Sequence, residues 1–243
     1  MTAFLDRNEF NFRPSAEVEK ALRDFDIEKL CFYTRIYDEG KKSIFSVYLS
    51  DLYGVPEPQV LLGYGAEDLL KQTVHYYLGR RPGGGVMMIP KFSWWYYKSL
   101  ADEVGGHTHQ YPLYEDGDTY SYDFATMLHM ADELKPDLLL LASPNNPTGA
   151  IMTKEQLQAV APVFEKHDLI VLSDEVYSEL TYGGLNHVSI ASLPRMRERT
   201  IVFNGFSKGF AMTGWRLGYV CAPKEIIEPV SYTHLRAHET GAY

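Results

Sequence analysis

Three polar clusters each follow a short apolar run. Ser143-Pro144-Asn145-Asn146-Pro147-Thr148-Gly149 follows residues 138–141, Asp174-Glu175-Val176-Tyr177 follows 170–173, and Ser207-Lys208-Gly209 follows 201–205. Together they offer an amide, a carboxylate, a phenol and a primary amine in Asn146, Asp174, Tyr177 and Lys208. A lysine amine is a useful nucleophile only when neutral, so burial must lower its pKa. A buried carboxylate favours a cation beside it. A fourth segment, Gly63-Tyr64-Gly65-Ala66-Glu67, leads into a stretch of helical period, and helix N-termini bind anions. Gly63-x-Gly65 is half a dinucleotide-binding fingerprint, but position 68 is Asp rather than the third glycine. The histidines at 75, 107, 109, 129, 167 and 187 have no metal-ligand spacing, and His107 and His109 alternate as on an exposed strand face.

The elements that must position these groups follow from hydrophobic period. Strands are predicted at 86–89, 107–113, 137–142, 169–173, 201–205 and 217–222, and helices at 67–78, 94–104, 124–134 and 155–167. Thr153 with Gln156 three residues on makes a capping box for the last helix. The unbroken Leu138-Leu139-Leu140-Leu141 suits a sheet covered on both faces. Strands alternating with helices imply βαβ units and a mostly parallel sheet sandwiched by helices, an α/β fold. Such open sheets bind ligands at the carboxyl ends of their strands. Parallel strands therefore bring Asn146, Asp174, Tyr177 and Lys208 to one edge.

With 243 residues the chain is long enough for one large α/β domain, and 45% hydrophobic with 23% charged residues is ordinary for a globular protein. A net charge of −9 argues against nucleic acid or an acidic membrane as partner. Two cysteines, Cys31 and Cys221, give no disulfide framework and imply a reducing compartment. Asp6, Arg7 and Glu9 stand where a signal peptide needs an apolar run. The expectation is a cytoplasmic protein with small-molecule partners.

The segments SPNNPTG, SDEVYSEL and NGFSKGFAMTGWRLGY, in this order, resemble the active-site segments of the fold-type I pyridoxal 5′-phosphate (PLP)-dependent aminotransferases of class I/II. Residues 5–70 resemble the histidinol-phosphate aminotransferase branch, although Asn8-Glu9-Phe10-Asn11 departs from its usual Asn-Glu-Asn-Pro. The resemblance implies that Lys208 forms an imine with the cofactor and later moves the substrate's α-proton. Asp174 keeps the ring nitrogen protonated, so that the ring acts as an electron sink. Asn146 and Tyr177 hydrogen-bond the ring's O3′, and Phe92 stacks on the ring. The turn at Gly65 with the amides of Ala66 and Glu67, together with Arg216 and Ser207, grips the phosphate. Gly205 stands where many relatives have a second hydroxyl. Tyr33 reaches the phosphate of the partner subunit in a homodimer. Trp94 and Trp95 are assigned to the core instead.

The resemblance covers residues 4–229. It divides the chain into an N-terminal arm with a short helix (1–36), a PLP-binding large domain (37–229) and a tail outside the family pattern (230–243), which shows no period and no apolar face. Relatives continue into a smaller C-terminal domain, so the chain is expected to be truncated and inactive alone. Three functions stay open. The first is transamination between an amino donor, such as histidinol phosphate or another amino acid, and a 2-oxo acid such as 2-oxoglutarate. The others are a decarboxylase or lyase of the same fold, and an inactive fragment.

Overall fold

The buried run at residues 138–141 marks the middle of the molecule. The computed structural model describes residues 6–31 and 43–239, with side chains to residue 231. Strand β6 (Leu138–Ala142) is buried along its whole length. Its Leu138, Leu140 and Ala142 pack into one apolar cluster, and Leu139 and Leu141 into another. Successive strand side chains point to opposite faces, so both faces of the sheet must be covered.

The covers are helices. Helices α3 (Ala66–Leu78) and α4 (Tyr96–Asp102) contribute Leu69, Leu70, Val74, Leu78 and Leu100 to the first cluster. Helix α7 (Lys224–Glu239) adds Ile227 and Val230. On the other side, α5 (Phe124–Leu134) supplies Met127 and Ala131, and α6 (Lys154–Lys166) supplies Leu157, Val160 and Phe164. Fully burying each Leu or Phe contributes about 1.5–3 kcal/mol. The predicted capping box is present, with Thr153 and Gln156 closing it reciprocally.

The seven-stranded sheet has the order β1-β9-β8-β7-β6-β2-β3. Here β1 is Val60–Gly63, β2 Val86–Pro90, β3 His107–Tyr111, β7 Ile170–Asp174, β8 Thr200–Gly205 and β9 Gly218–Cys221. The strands β3, β2, β6, β7 and β8 run parallel. Only β9 is reversed, against both β8 and β1. The expected α/β architecture is thus present. Elements that were not anticipated are β1, the hairpin of β4 (Leu113–Asp116) with β5 (Thr119–Tyr122), and helix α2 (Ile44–Tyr53). The stretch read as patternless is helical to Glu239, because α7 runs on across residue 230. Helix α1 (Ala16–Arg23) lies in the arm, and no residue of 6–31 is buried. Among the described residues no helix is long and apolar enough to cross a membrane.

Candidate active site

The parallel strands β6, β7 and β8 end on one edge, and the loops beyond them meet there. Asn146, Asp174, Tyr177, Ser207, Lys208 and Arg216 line a single cavity of ≈ 990 Å³, together with Ala66 and Glu67 from the start of α3. Eight residues chosen from sequence are therefore neighbours. Gly65 immediately precedes this start.

Asp174, half-buried at the end of β7, accepts a 2.7 Å hydrogen bond from the Tyr97 hydroxyl and a 3.2 Å bond from the Val176 amide. Among the described residues no cation pairs with it. Loss of water pushes its carboxyl above the usual carboxylate range, the two hydrogen bonds pull it back, and neighbouring Glu175 pushes it up further. The site is thus short of one positive charge at this point, which is where a protonated ring nitrogen would fit. Loss of water likewise lowers the Lys208 amine below its ordinary value, opposed by Glu9 and reinforced by Arg216. Tyr177 is held protonated mainly by burial. Its ring centre lies 5.9 Å from Lys208 Nζ.

At the far end, α3 begins without a side-chain cap, at Gly65 with φ 89°. A Cβ there would stand 2.8 Å from Arg216 Nη2. Gly218 permits an even closer approach, since a Cβ on it would meet Ala66 N at 2.2 Å. Uncapped N–H groups, the helix dipole and a guanidinium converge there, as an anion such as phosphate requires. Arg216 Nη1 donates to the Thr213 carbonyl at 3.2 Å, and its one ion pair among the described residues is a long, half-exposed contact with Glu67 at 3.7 Å; such pairs contribute little.

Other expectations come out differently. Phe92 is not among the cavity-lining residues; its ring packs edge-on to Tyr120 at 6.0 Å. Its backbone is left-handed, φ 51°, and Asn145 Nδ2 donates to its carbonyl at 2.9 Å. Trp94 and Trp95 do line the cavity. Trp94 also packs on the core, as assigned, whereas Trp95 is 72% exposed and is no core residue. Tyr33 lies outside the described residues. Sequence reasoning missed Tyr97, whose core-facing position on α4 looks like packing, and the arm. Residues 6–9 of the arm enter the cavity. Lys208 Nζ donates to the carbonyls of Arg7 and Asn8 at 3.2 and 3.1 Å, and Asn8 Nδ2 donates to the Tyr177 hydroxyl at 3.1 Å.

The family profile for aminotransferase class I and II matches residues 4–234. The chain belongs to this family, and with it to the PLP-dependent enzymes of fold type I. It is 37% identical over 176 residues to aromatic-amino-acid aminotransferase 2 of Thermococcus litoralis, covering 71% of this chain and 43% of the relative. It is 39% identical over 173 residues to an aspartate aminotransferase of Pyrococcus abyssi, again covering 71% and 43%. Among solved structures, an aromatic aminotransferase from Pyrococcus horikoshii superposes with a TM-score of 0.80 at 31% identity, covering 95% of this chain and 62% of that one. The chain thus spans less than half the length of these curated relatives. The likeness to the histidinol-phosphate branch is carried by the motifs of residues 5–70 alone.

Proposed function

We propose that the protein carrying this chain transfers an amino group from a small amino donor to a 2-oxo acid such as 2-oxoglutarate, with PLP held in the ≈ 990 Å³ cavity. The observation that carries this is Asp174, a desolvated carboxylate with no cation paired to it among the described residues, sharing that cavity with the half-buried amine of Lys208. Lys208 would hold the cofactor covalently and, once a substrate amine has displaced it, its freed Nζ would be the base that moves the substrate's α-proton. The Asp174 carboxylate would keep a proton on the ring nitrogen. Tyr177, protonated, and Asn146 hydrogen-bond the ring oxygen. The amides after Gly65 (Ala66 and Glu67), Ser207 and Arg216 hold the phosphate. When bound, the cofactor supplies an electron sink for the carbanion at the substrate's α-carbon.

Two finer parts belong to the same reading. The amino donor is histidinol phosphate or a related amino acid, on the motifs of residues 5–70. The protein is a homodimer in which Tyr33 reaches the partner's phosphate. Helix α2 supports this with an exposed apolar stripe of Ile44, Tyr48 and Leu52. The covalent assignment is tested by reducing the PLP complex of the chain with borohydride and mapping the adduct; an adduct on any lysine other than Lys208 refutes it. The reaction class is tested in the protein carrying this chain. If 2-oxoglutarate and other 2-oxo acids fail to regenerate the aldehyde form after an amino donor has consumed it, the chemistry is that of a decarboxylase or lyase.

A further inference from the structure

The first turn of α4 brings a buried phenol to the carboxylate on which the proposed site depends. Tyr97 is 2% exposed and lines the same cavity as Asp174. Its hydroxyl donates to Asp174 Oδ2 at 2.7 Å, and Asp174 Oδ1 takes the Val176 amide at 3.2 Å. Each carboxylate oxygen thus has one donor, and Tyr97 is the one side chain that donates among the described residues. The other polar groups nearby are engaged elsewhere. Tyr122 donates to the Ala142 carbonyl, and Asn8 Nδ2 donates to the Tyr177 hydroxyl. The Glu175 carboxylate is bonded by Ser173, Ser189 and His187. Lys208 Nζ, in the same cavity, donates to the carbonyls of Arg7 and Asn8.

Packing alone does not need that hydroxyl. The Tyr97 ring belongs to the apolar cluster of Ile89 and Leu100, and Trp94 meets it edge-on at 5.5 Å. A phenylalanine would keep those contacts and bury no hydroxyl. The hydroxyl serves Asp174. Burial raises the Tyr97 phenol well above its ordinary value, so it stays a donor at neutral pH. Loss of water works against an ionised Asp174, and the bond from Tyr97 is the largest influence opposing it. A hydrogen bond to a carboxylate is charge-assisted and about twice as strong as one to a neutral group. Tyr97 therefore favours the ionised form of Asp174 and disfavours the passage of a shared proton onto it.

We propose that Tyr97 is a positioning residue for the cofactor, its hydroxyl holding the Asp174 carboxylate at the cavity wall and keeping the shared proton on the ring nitrogen. This rests on the reading that PLP occupies the cavity with its ring nitrogen at Asp174. Without the hydroxyl, Asp174 competes better for that proton. The pair shifts toward a neutral acid beside a neutral ring, which is the weaker electron sink. The expected change is about tenfold in the ring nitrogen's proton affinity.

The test uses the whole chain loaded with PLP labelled with 15N in the ring, whose NMR shift reports protonation without turnover. Wild type should be protonated at neutral pH, and Asp174→Ala should not. Tyr97→Phe should lower the pH at which the ring nitrogen loses its proton by about one pH unit, the equivalent of tenfold. Fluorotyrosine in place of Tyr97 keeps the shape and donates more strongly, so it should move the titration the opposite way. A packing defect would not reverse sign between the two variants. If wild type takes up no PLP, or Asp174→Ala keeps a protonated ring nitrogen, the reading of the site fails and takes this proposal with it. If Asp174→Ala responds but Tyr97→Phe titrates as wild type does, only the role of Tyr97 is overturned. Shifts in the same direction for both Tyr97 variants would assign the effect to packing and also overturn it. Should Tyr97→Phe not fold, the fluorotyrosine variant decides alone: a titration moved to higher pH supports the proposal, and an unmoved or lowered one refutes it.

Discussion

Tyr97 donates a 2.7 Å hydrogen bond to Asp174 Oδ2, joining the core-facing side of α4 to the end of β7. The bond and the Val176 amide do not offset the loss of water around the carboxyl, whose proton affinity stays above the usual range. Unfolded, Asp174 has its ordinary value. A raised folded value means that its favourable contribution is present below the ordinary carboxylate range and is lost as pH rises through the folded value. At neutral pH the cofactor-free chain carries the cost. Asp174→Asn removes the charge, keeps an acceptor for Val176, and lets the Tyr97 hydroxyl turn to accept from the new NH2 group. The cofactor-free variant should be more stable at pH 7 by roughly 1 kcal/mol, with the gain fading in acid. Thermal unfolding of both proteins across pH checks this, and a lower midpoint for the variant at neutral pH would show that another group already neutralises Asp174.

Gly218 and Gly65 should separate scaffold from grip. A Cβ on Gly218 would meet the backbone of Ala66 and Gly65, both at 2.2 Å, with nothing flexible to move. Gly218→Ala should cost about 3 kcal/mol by denaturant unfolding. A Cβ on Gly65 would meet only the tip of Arg216, but φ 89° strains any L side chain. Gly65→Ala should cost about 1–2 kcal/mol and weaken PLP binding roughly tenfold by displacing the guanidinium. A Gly65→Ala variant that binds PLP as wild type does would remove Arg216 from the phosphate grip.

The two cysteines should differ sharply toward a thiol reagent. Cys221 is 6% exposed, and burial, reinforced by Glu175, pushes its thiol up to about 12. Only the thiolate reacts. Cys31 is exposed. Native chain should therefore label one thiol quickly and the second only on unfolding. Fast labelling of both would show that edge strand β1 separates readily from β9.

What was legible in the sequence was what local chemistry dictates. The run Leu138–Leu141 needs cover on both faces wherever it sits, and Thr153 with Gln156 caps a helix whatever surrounds it. The polar clusters were legible because they end apolar runs, and parallel pairing of β6, β7 and β8 then assembles them without further information. Contacts made only by tertiary packing were not legible. Tyr97 carries the apolar period of α4, and its hydroxyl meets Asp174 only because α4 lies across the sheet. Nothing in the sequence flags Phe92 as left-handed, yet that backbone and the bond from Asn145 turn its ring toward Tyr120. Strand β1 has four residues, too few for a period to register.

The arm makes the last prediction. Lys208 Nζ is held by the carbonyls of Arg7 and Asn8, and Asn8 is tied to the Tyr177 hydroxyl. An amine that donates to two carbonyls must leave them before it can attack an aldehyde. Each such bond contributes only about 0.5–1.5 kcal/mol net, and no residue of 6–31 is buried, so the arm is a weakly held cover that opens locally. Glu9 also raises the proton affinity of Lys208, against the effect of desolvation. Removing residues 1–10 therefore acts twice in one direction: it frees Nζ and leaves more of the amine neutral. Capture of PLP by Lys208, followed by absorbance in a stopped-flow mixer, should accelerate roughly tenfold, the equivalent of about 1.4 kcal/mol. Asn8→Ala keeps both carbonyls and Glu9 and gives up only the contact with Tyr177, so it should lie close to wild type. Slower capture after the deletion would mean that residues 6–9 help to hold the cofactor rather than cover its lysine.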